Sequence, residues 1–350
     1  MPTSLQNSEN TGYLSHYDHH IPAGLGIKLG SGGARVTKVT TGKHHPSQPE
    51  LSTQGGVPFF PAKAGARSRL RAVGGSVSYY LRGQVPMRRV QFIELHEQPW
   101  FPPSLRHEIT DALQCGLNLL EAYAPIAPLL QSVLDATRCR SIVDLCSGGG
   151  GPWLDLSRKL QPDAQVLHIL LTDKYPNLRA IQNVGGASGN HIAFHPDAVD
   201  ARKVPGELRG FRTMFSSFHH FPPEEARAIL QNAVDAGQSI GIFEITKRAP
   251  LAIALMFPWA LMPFVFTPLI RPFRWSRLLW TYVVPIIPFV LLFDGVVSCL
   301  RTYRPQELRE IITRLSGIEY RWEVGEYSKA SGQAPVTYLI GYPQARVSPR

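Results

Sequence analysis

The chain has 350 residues and a formal net charge of +10, with 30 glycines, 30 prolines and 4 cysteines. Residues 1–88 hold ten Lys/Arg and three Asp/Glu, a net of +7, which leaves +3 for residues 89–350. Because the basic excess belongs to one end, it indicates a solvated basic tail, and we expect no nucleic-acid partner. The cysteines form no CxxC pair and no signal-type apolar segment opens the chain, so we expect free thiols and a reducing, cytoplasmic setting.

The first segment, residues 1–88, is rich in Gly, Ser, Pro and His and shows no sustained helical or strand period. This composition predicts a disordered or loosely attached region. Four histidines within it lack the ordered spacing of a metal site: His19, His20, His44 and His45. We therefore interpret them as exposed loop residues and predict no metal site.

Order is expected to begin near Val90, with a helical cap over residues 89–138. An aromatic and Pro-rich run from Phe92 to Pro103 precedes a helix that starts at about Ser104. Its apolar residues recur at helical spacing on one face, as in an amphipathic helix: Ile109, Leu113, Leu117 and Leu120. A second helix is predicted over about residues 126–136.

The next feature is a strand that ends in a glycine-rich turn. Ile142, Val143 and Leu145 form the apolar run of a buried parallel strand, and Gly148 to Gly151 follow it. A strand that turns on glycine into a helix is the ligand-binding corner of a doubly wound sheet.

Two residues of this corner decide which ligand the sequence favours. A dinucleotide-binding turn requires G-x-G-x-x-G, and Trp153 stands where the third glycine belongs, which disfavours a nicotinamide oxidoreductase. Asp144, near the strand end, is unfavourable beside a pyrophosphate and favourable beside a positively charged ligand such as a sulfonium.

Further strands and helices follow at the spacing of βα units. Strands are predicted over about residues 166–172, 191–195, 211–217, 239–245, 320–327 and 336–342. Helices are predicted over about residues 177–184, 223–236 and 305–315.

The run Val143-Asp-Leu-Cys-Ser-Gly-Gly-Gly150 resembles the first motif of the class I S-adenosylmethionine (SAM) methyltransferases, V-D-L-x-x-G-x-G. Cys146 stands where that family usually has its first glycine. The resemblance covers about residues 104–343 and implies an α/β fold: a doubly wound, Rossmann-like, seven-stranded sheet with a C-terminal antiparallel hairpin. It also implies that SAM is the cofactor, that residues 139–345 form the methyltransferase domain, and that leading helices cover the cofactor site.

The resemblance also implies a set of cofactor-binding residues. Asp173, at the tip of the second strand, would accept hydrogen bonds from the ribose hydroxyls, and Asp200 would receive the adenine amino group, with Asp197 as the competing assignment. The full set is Asp144, Cys146, Gly148, Gly150, Asp173, Asp200, Ala201 and Ser216.

The run Ser216-Ser-Phe-His-His220 resembles the motif at which the fourth strand meets the substrate. A histidine with a pKa near neutrality can take a proton from an O–H or N–H nucleophile, so His219 and His220 are the candidate catalytic residues. The alternative is that either histidine only caps a turn.

An apolar insertion, residues 250–300, follows the fifth strand. Residues 251–270 and 278–293 carry no ionised side chain, yet five prolines interrupt them. The connector between these two stretches, residues 271–277, carries Arg271, Arg274 and Arg277. A hairpin that crossed the membrane would place these arginines on the outer side, against the positive-inside rule. We therefore predict a peripheral or re-entrant association with the inner face of a membrane, with these arginines near lipid headgroups. The alternative is a buried lid over the active site.

The sequence as a whole predicts a SAM-dependent enzyme that methylates a lipophilic small molecule or lipid at a membrane surface. The segment from Val296 to Leu308 is more loosely similar to quinone-biosynthesis methyltransferases, which is consistent with a lipophilic substrate. A non-catalytic, membrane-associated adaptor that keeps the fold is the alternative function. The sequence does not predict an oligomeric state.

Overall fold

The computed structural model describes residues 87–160, 166–176, 191–317, 319–328 and 334–344. Almost all of the segment predicted to be disordered, the four histidines within it, and the helix predicted over residues 177–184 lie outside this description. The statements below concern the described residues.

The centre of the fold is one sheet of seven strands in the order β3-β2-β1-β4-β5-β7-β6. The strands are β1 (Ser141–Asp144), β2 (His168–Leu171), β3 (Ile192–Phe194), β4 (Phe211–Phe215), β5 (Ile240–Glu244), β6 (Tyr320–Tyr327) and β7 (Val336–Pro343). The first five are parallel, whereas β7 pairs antiparallel with both β5 and β6. The predicted α/β fold class and its C-terminal antiparallel hairpin are confirmed.

Nine α-helices surround the sheet within the described ranges. They are α1 (Pro103–Leu119), α2 (Ala127–Thr137), α3 (Trp153–Lys159), α4 (Pro223–Asp235), α5 (Pro250–Leu261), α6 (Pro263–Phe266), α7 (Trp275–Leu278), α8 (Ile286–Arg301) and α9 (Pro305–Ile312). Shorter helical turns lie at Ala124–Ile126, Ala201–Lys203, Phe218–His220, Thr267–Leu269 and Leu279–Val283. Proline is the first residue of five of the nine helices, where its missing N–H costs no hydrogen bond.

Two apolar cores pack against the sheet, as expected when helices cover both faces of parallel strands. One includes Leu130 of α2, Trp153 of α3 and Ile142 of β1. The other includes Val143 of β1 and Ile229 of α4. Ile142 and Val143 enter different cores because successive side chains of a strand point to opposite faces.

A third core joins the N-terminal cap to the apolar insertion. Phe101 and Ile109 of the cap are buried against Phe266, Ile287 and Val290 of the insertion. The cap and the insertion thus bury apolar surface against each other.

The insertion itself is a set of helices broken by prolines. The stretch Pro250–Leu269 is the one helical stretch in the described residues that is long and apolar enough to cross a membrane, and only 22% of its apolar window is buried. The two helical segments Trp275–Val283 and Ile286–Arg301 meet at an angle of 71°. By length and composition alone, the described insertion therefore contains one possible membrane span. It contains two if the bent pair of helical segments is taken together as a second span.

One residue of the arginine connector has a different role from the predicted one. Arg271 is exposed, but Arg277 is only 1% exposed and its guanidinium lies 2.5 Å from the carboxylate of Asp111 in α1. It also donates hydrogen bonds to the carbonyls of Ile270 and Pro272, at 3.3 and 3.2 Å. The expectation that Arg277 reaches lipid headgroups is therefore wrong, because its charge is used inside the protein to hold the connector against the cap.

Candidate functional site

The glycine turn follows β1 at the carboxyl edge of the sheet, where the strand order reverses between β1 and β4. Gly148 and Gly151 have φ of +54° and +57°, and Cys146 has φ of +57°. These left-handed conformations explain the glycines of the motif, since a Cβ atom is disfavoured there. Cys146 adopts the same conformation with a side chain, at the position where the motif that the sequence resembles has glycine.

Asp144 is buried next to this turn and is hydrogen-bonded to its neighbours. Its carboxylate is 1% exposed and accepts hydrogen bonds from the hydroxyls of Thr213, at 2.5 Å, and Ser147, at 2.7 Å. Burial raises the pKa of Asp144 to about 6, against the opposing effect of these hydrogen bonds. Both oxygens thus already have protein partners, so the structure supports a role in shaping the turn. A direct contact of Asp144 with a cationic ligand stays a prediction.

Asp173 follows β2 and lies beside the same turn. One carboxylate oxygen accepts from the backbone N–H of Gly148 at 2.8 Å, and the other accepts from the N–H of Tyr175 at 2.8 Å. Burial raises the pKa of Asp173, and the two backbone hydrogen bonds oppose that rise. The structure thus brings together Gly148 and Asp173, two residues that were predicted to bind one cofactor.

Asp200 reaches the same edge through the segment after β3. The N–H of Val199 donates to the carbonyl of Asp173 at 2.9 Å, which places Asp200 next along the chain. Its carboxylate caps the helical turn Ala201–Lys203 and pairs with both the Nε and the Nη2 of Arg202, at 2.9 and 2.6 Å. This ion pair lowers the pKa of Asp200. Ala201 is buried, whereas the competing residue Asp197 is exposed.

Helix α1 of the cap covers the glycine turn. The side-chain amide of Gln114 donates to the carbonyl of Gly151 at 2.5 Å. A Cβ atom on Gly149 would lie 3.3 Å from the methyl group of Thr110, so a side chain there would crowd the cap. The predicted cap is therefore in contact with the predicted cofactor turn.

Ser216, after β4, also has a left-handed backbone, with φ of +42°. Its hydroxyl accepts a hydrogen bond from the phenol of Tyr123 at 2.5 Å. Burial raises the pKa of Tyr123 above its usual range, so the phenol stays protonated as the donor. The ring of Tyr123 connects the cap to the end of β4.

His219 lies in a buried ion cluster. It is 2% exposed, and its Nδ1 lies 2.7 Å from a carboxylate oxygen of Glu244. The other oxygen of Glu244 accepts from the backbone N–H groups of Phe218 and His219, at 2.9 and 3.2 Å. Burial alone would lower the pKa of His219, but the carboxylates of Glu244 and Glu94 raise it to about 10. His219 therefore does not have the near-neutral pKa that was predicted for a general base.

His220 belongs to the same cluster. Its Nδ1 lies 2.5 Å from Glu97 and 3.3 Å from Glu94. The guanidinium of Arg301 pairs with both of these carboxylates, at 3.0 and 3.1 Å. A base role for His220 stays a prediction, because its Nδ1 already faces two carboxylates.

Sequence reasoning did not identify Glu94, Glu97, Glu244 or Arg301 as part of this site. Glu94 and His219 are far apart in the chain, so no local pattern connects them. The available signal was the pair of glutamates three residues apart in an aromatic segment, ahead of two adjacent histidines much later.

No family model matches the sequence, and no curated protein matches it. Among solved structures, plantazolicin methyltransferase in complex with SAH is 10% identical with a TM-score of 0.46, over 72% of this chain and 95% of that chain. A putative O-methyltransferase from Nostoc punctiforme is 13% identical with a TM-score of 0.41, over 73% of this chain and 64% of that chain. Magnesium protoporphyrin IX methyltransferase from Synechocystis with bound SAM is 12% identical with a TM-score of 0.36, over 64% of this chain and 81% of that chain.

The strand order, with five parallel strands and an antiparallel hairpin, is the order implied by the sequence resemblance. The fold is therefore a doubly wound, Rossmann-like α/β fold with a C-terminal antiparallel hairpin. In open α/β sheets of this kind, ligands bind at the carboxyl edge, where the strand order reverses. The glycine turn, Asp173, Asp200 and Ser216 all lie at this edge, and α1 covers the turn.

Proposed function

We propose that the protein is a SAM-dependent methyltransferase whose cofactor lies on the glycine turn. The observation that carries this proposal is the hydrogen bond from the Gly148 N–H to the Asp173 carboxylate, at the point where the strand order reverses. It fixes an acceptor carboxylate beside a turn that has little side-chain bulk. This combination suits a ligand that carries both ribose hydroxyls and a compact charged group.

The residues of this edge would bind and orient the cofactor and exclude water. When bound, SAM supplies an activated methyl group on a sulfonium. Asp173 would accept hydrogen bonds from the ribose, and Asp200 would accept one from the adenine amino group through an oxygen that also pairs with Arg202. Helix α1 would shield the reacting atoms from water. Direct methyl transfer needs correct positioning of the two reactants and exclusion of water more than it needs a covalent intermediate with the protein.

Equilibrium binding of SAM to the purified protein, by calorimetry, tests the proposal. Asp173→Ala should weaken SAM binding by about 1–3 kcal/mol, the usual cost of losing hydrogen bonds to a charged acceptor. Asp135→Ala, on the exposed face of α2, is the matched control and should bind as the wild type does. A folded Asp173→Ala protein with unchanged affinity would overturn the ribose assignment, and preferential binding of NAD(P) would overturn the cofactor.

Two further variants decide between the candidate adenine acceptors. Asp200→Ala should weaken SAM binding less than Asp173→Ala does, because one amino-group hydrogen bond is at stake. Asp197→Ala should leave the affinity unchanged, since Asp197 is exposed and precedes Val199, where the chain is hydrogen-bonded to Asp173. The reverse order of effects would assign the adenine contact to Asp197.

We further propose that the substrate is a lipophilic small molecule or lipid taken from a membrane surface. The support is the insertion, whose apolar side chains remain in contact with solvent: Leu251, Leu255, Phe257, Leu261, Val265, Leu269, Trp275, Val283 and Phe289 are each more than half exposed. A surface of this kind is larger than the apolar patches of ordinary monomeric proteins and needs a cover. An apolar cleft of about 500 Å³, lined by Phe92 and by residues of α8, adds room for an acyl or prenyl chain.

Co-sedimentation with anionic liposomes tests the membrane part. The double variant Val265→Glu and Leu269→Glu should reduce binding, because it places charge on the exposed apolar surface. Val166→Glu, the same type of substitution at an exposed residue beside β2, should not reduce binding. Arg271→Glu, at an exposed arginine, should weaken liposome binding more in low salt than in high salt, because salt screens the charge. A wild type that stays monodisperse in plain buffer and ignores liposomes would overturn the membrane proposal.

The two experiments together separate the enzyme from the adaptor. Liposome binding without SAM binding would favour the non-catalytic adaptor. When both occur, incubation with labelled SAM and a lipid extract identifies which species gains the methyl group.

A further inference from the structure

We propose that Glu94, Glu97, His219 and His220 form a binding site for one divalent transition-metal ion of the zinc class. The ion would fasten the segment before α1 to the turn after β4. This inference does not depend on the proposed binding of SAM, because none of the four side chains belongs to the predicted cofactor-binding set.

Two distances within the cluster are close to those between neighbouring ligands of one metal ion, whereas the Glu97 carboxylate, 2.5 Å from His220, would have to move to join them. One ligand atom from each of Glu94, His219 and His220 lies within 4.8 Å of the other two. The Nε2 of His219 is 3.6 Å from Glu94, and the Nδ1 of His220 is 3.3 Å from Glu94. Neighbouring ligands of a tetrahedral zinc ion with bonds near 2.0–2.2 Å are about 3.4 Å apart. Glu97 is the fourth ligand, and its partial exposure gives its carboxylate room to adjust.

The orientation of His219 also fits a ligand. Its Nδ1 side is occupied by the Glu244 carboxylate at 2.7 Å, which fixes the ring. Its Nε2 points to Glu94 from beyond hydrogen-bond distance and has no hydrogen-bond partner, although the residue is 98% buried. A histidine held by a carboxylate at one nitrogen, with the other nitrogen directed at further ligands, is the usual arrangement around protein-bound zinc.

The charges of the cluster leave room for a divalent cation. Glu94, Glu97 and Glu244 contribute three negative charges, and Arg301 contributes one positive charge. With both histidines neutral, as they must be to bind a metal ion, the sum is −2, which one divalent ion would neutralise in a site where Glu94 and Glu244 are buried. The neighbouring pair of His96 and Asp294, 2.7 Å apart, balances itself when His96 is protonated.

The donor set selects the class of ion. Two imidazole nitrogens and two carboxylate oxygens suit zinc and neighbouring transition metals, whereas calcium and magnesium prefer oxygen alone. Because the glutamates precede α1 and the histidines follow β4, an ion here would stabilise the position of the cap, which also covers the glycine turn.

Metal titration of the untagged, full-length protein tests the inference without SAM. After treatment with a chelator, the protein should bind one equivalent of Zn²⁺ by calorimetry. Co²⁺ should give the visible absorption of a tetrahedral site, and Zn²⁺ should raise the thermal midpoint of the chelator-treated protein. His220→Gln should weaken Zn²⁺ binding by about tenfold or more. His195→Gln, at a partly exposed histidine outside the cluster, is the matched control and should bind as the wild type does.

Three outcomes would overturn the site. They are a wild type without stoichiometric Zn²⁺ binding, a Co²⁺ spectrum of octahedral type, and a folded His220→Gln protein with unchanged affinity. If His220→Gln does not fold, Glu97→Gln replaces it, since Glu97 is the most exposed of the four ligands and its loss leaves the pairs Glu94–Arg301 and Glu244–His219 intact. Unchanged Zn²⁺ affinity in Glu97→Gln would overturn the four-ligand site.

Discussion

At the scale of single residues, backbone conformation explains why the glycine motif tolerates one departure. Cys146 occupies a left-handed conformation, with φ of +57°, at the position where the methyltransferase motif that the sequence resembles has glycine. A side chain without β-branching can adopt this region at a modest cost, whereas a β-branched one clashes with the backbone. Burial also raises the pKa of the Cys146 thiol well above its usual range, so the side chain acts as a small neutral group.

This conformation makes a prediction about stability. Cys146→Gly should stay within about 1 kcal/mol of the wild type, because relief of strain offsets the greater freedom of glycine in the unfolded chain. Cys146→Val should lower the free energy of unfolding by about 2 kcal/mol. Denaturant titration measures both, with Cys139→Val at an ordinary backbone position as the control. Equal stability of Cys146→Val and the wild type would contradict the assignment of strain.

Asp144 makes a second prediction at this scale, about pH. Burial raises its pKa from 3.8 to about 6, so the folded protein holds this proton more tightly than the unfolded chain does. Its contribution to stability is then complete below pH 4 and is lost as the pH rises through 6. Relative to Asp144→Asn, the wild type should lose about 2–3 kcal/mol between those limits, at about 1.4 kcal/mol per pKa unit.

The free energy of unfolding of both proteins, measured from pH 4 to 7, checks this. The comparison with Asp144→Asn is needed because other groups also titrate over this range. As a control, the difference in the free energy of unfolding between the wild type and Asp135→Asn, at an exposed carboxylate, should stay constant over this pH range. A wild type that gains stability over Asp144→Asn as the pH rises would show that the carboxylate is stabilised as an anion.

At the scale of elements, the cap and the insertion depend on each other. Their shared core joins α1 to α6 and α8, and the pair of Arg277 and Asp111 fixes the connector to α1. The indole of Trp259 in α5 lies so close to Gly116 in α1 that an added Cβ atom would be 2.6 Å away. The insertion thus supports the helix that covers the glycine turn.

The two arginines of the connector provide a test of this dependence. Arg277→Gln should lower the free energy of unfolding by about 2–3 kcal/mol, since it leaves Asp111 and two carbonyls without their buried donor. Arg271→Gln, six residues earlier and exposed, should change it by less than about 0.5 kcal/mol. Thermal and denaturant unfolding measure both variants. Similar effects of the two substitutions would mean that Arg277 contributes no more than a surface charge.

At the scale of the whole molecule, the proposed functions meet along one edge of the sheet. The glycine turn, the two acids, the end of β4 and the histidine cluster follow strands that point the same way. The cap contacts this edge through Gln114 and Tyr123, and its other side packs on the insertion. The cap therefore links the apolar insertion to this edge of the sheet.

The basic N-terminal segment is the subject of the whole-molecule prediction. Deletion of residues 1–85 should leave SAM affinity unchanged, because the predicted cofactor-binding residues all lie after residue 140, and should reduce adhesion to anionic vesicles. Calorimetry and vesicle co-sedimentation measure the two properties. A truncated protein that is folded but does not bind SAM would show that this segment is part of the site.

Local pattern was sufficient to predict much of this protein from the sequence alone. The fold class, the approximate positions of the strands and the glycine turn follow from short-range signals, namely apolar runs, glycine and the spacing of βα units. The acids after β2 and β3 were identified through the resemblance to known methyltransferase motifs. The tertiary structure decided what the charged side chains do. Arg277 is paired inside the protein, Asp144 accepts hydrogen bonds from Thr213, and His219 lies between Glu244 and Glu94. These partners are distant in sequence, and burial makes their charges decisive, so neither the pairing nor the resulting pKa values can be read from neighbours along the chain.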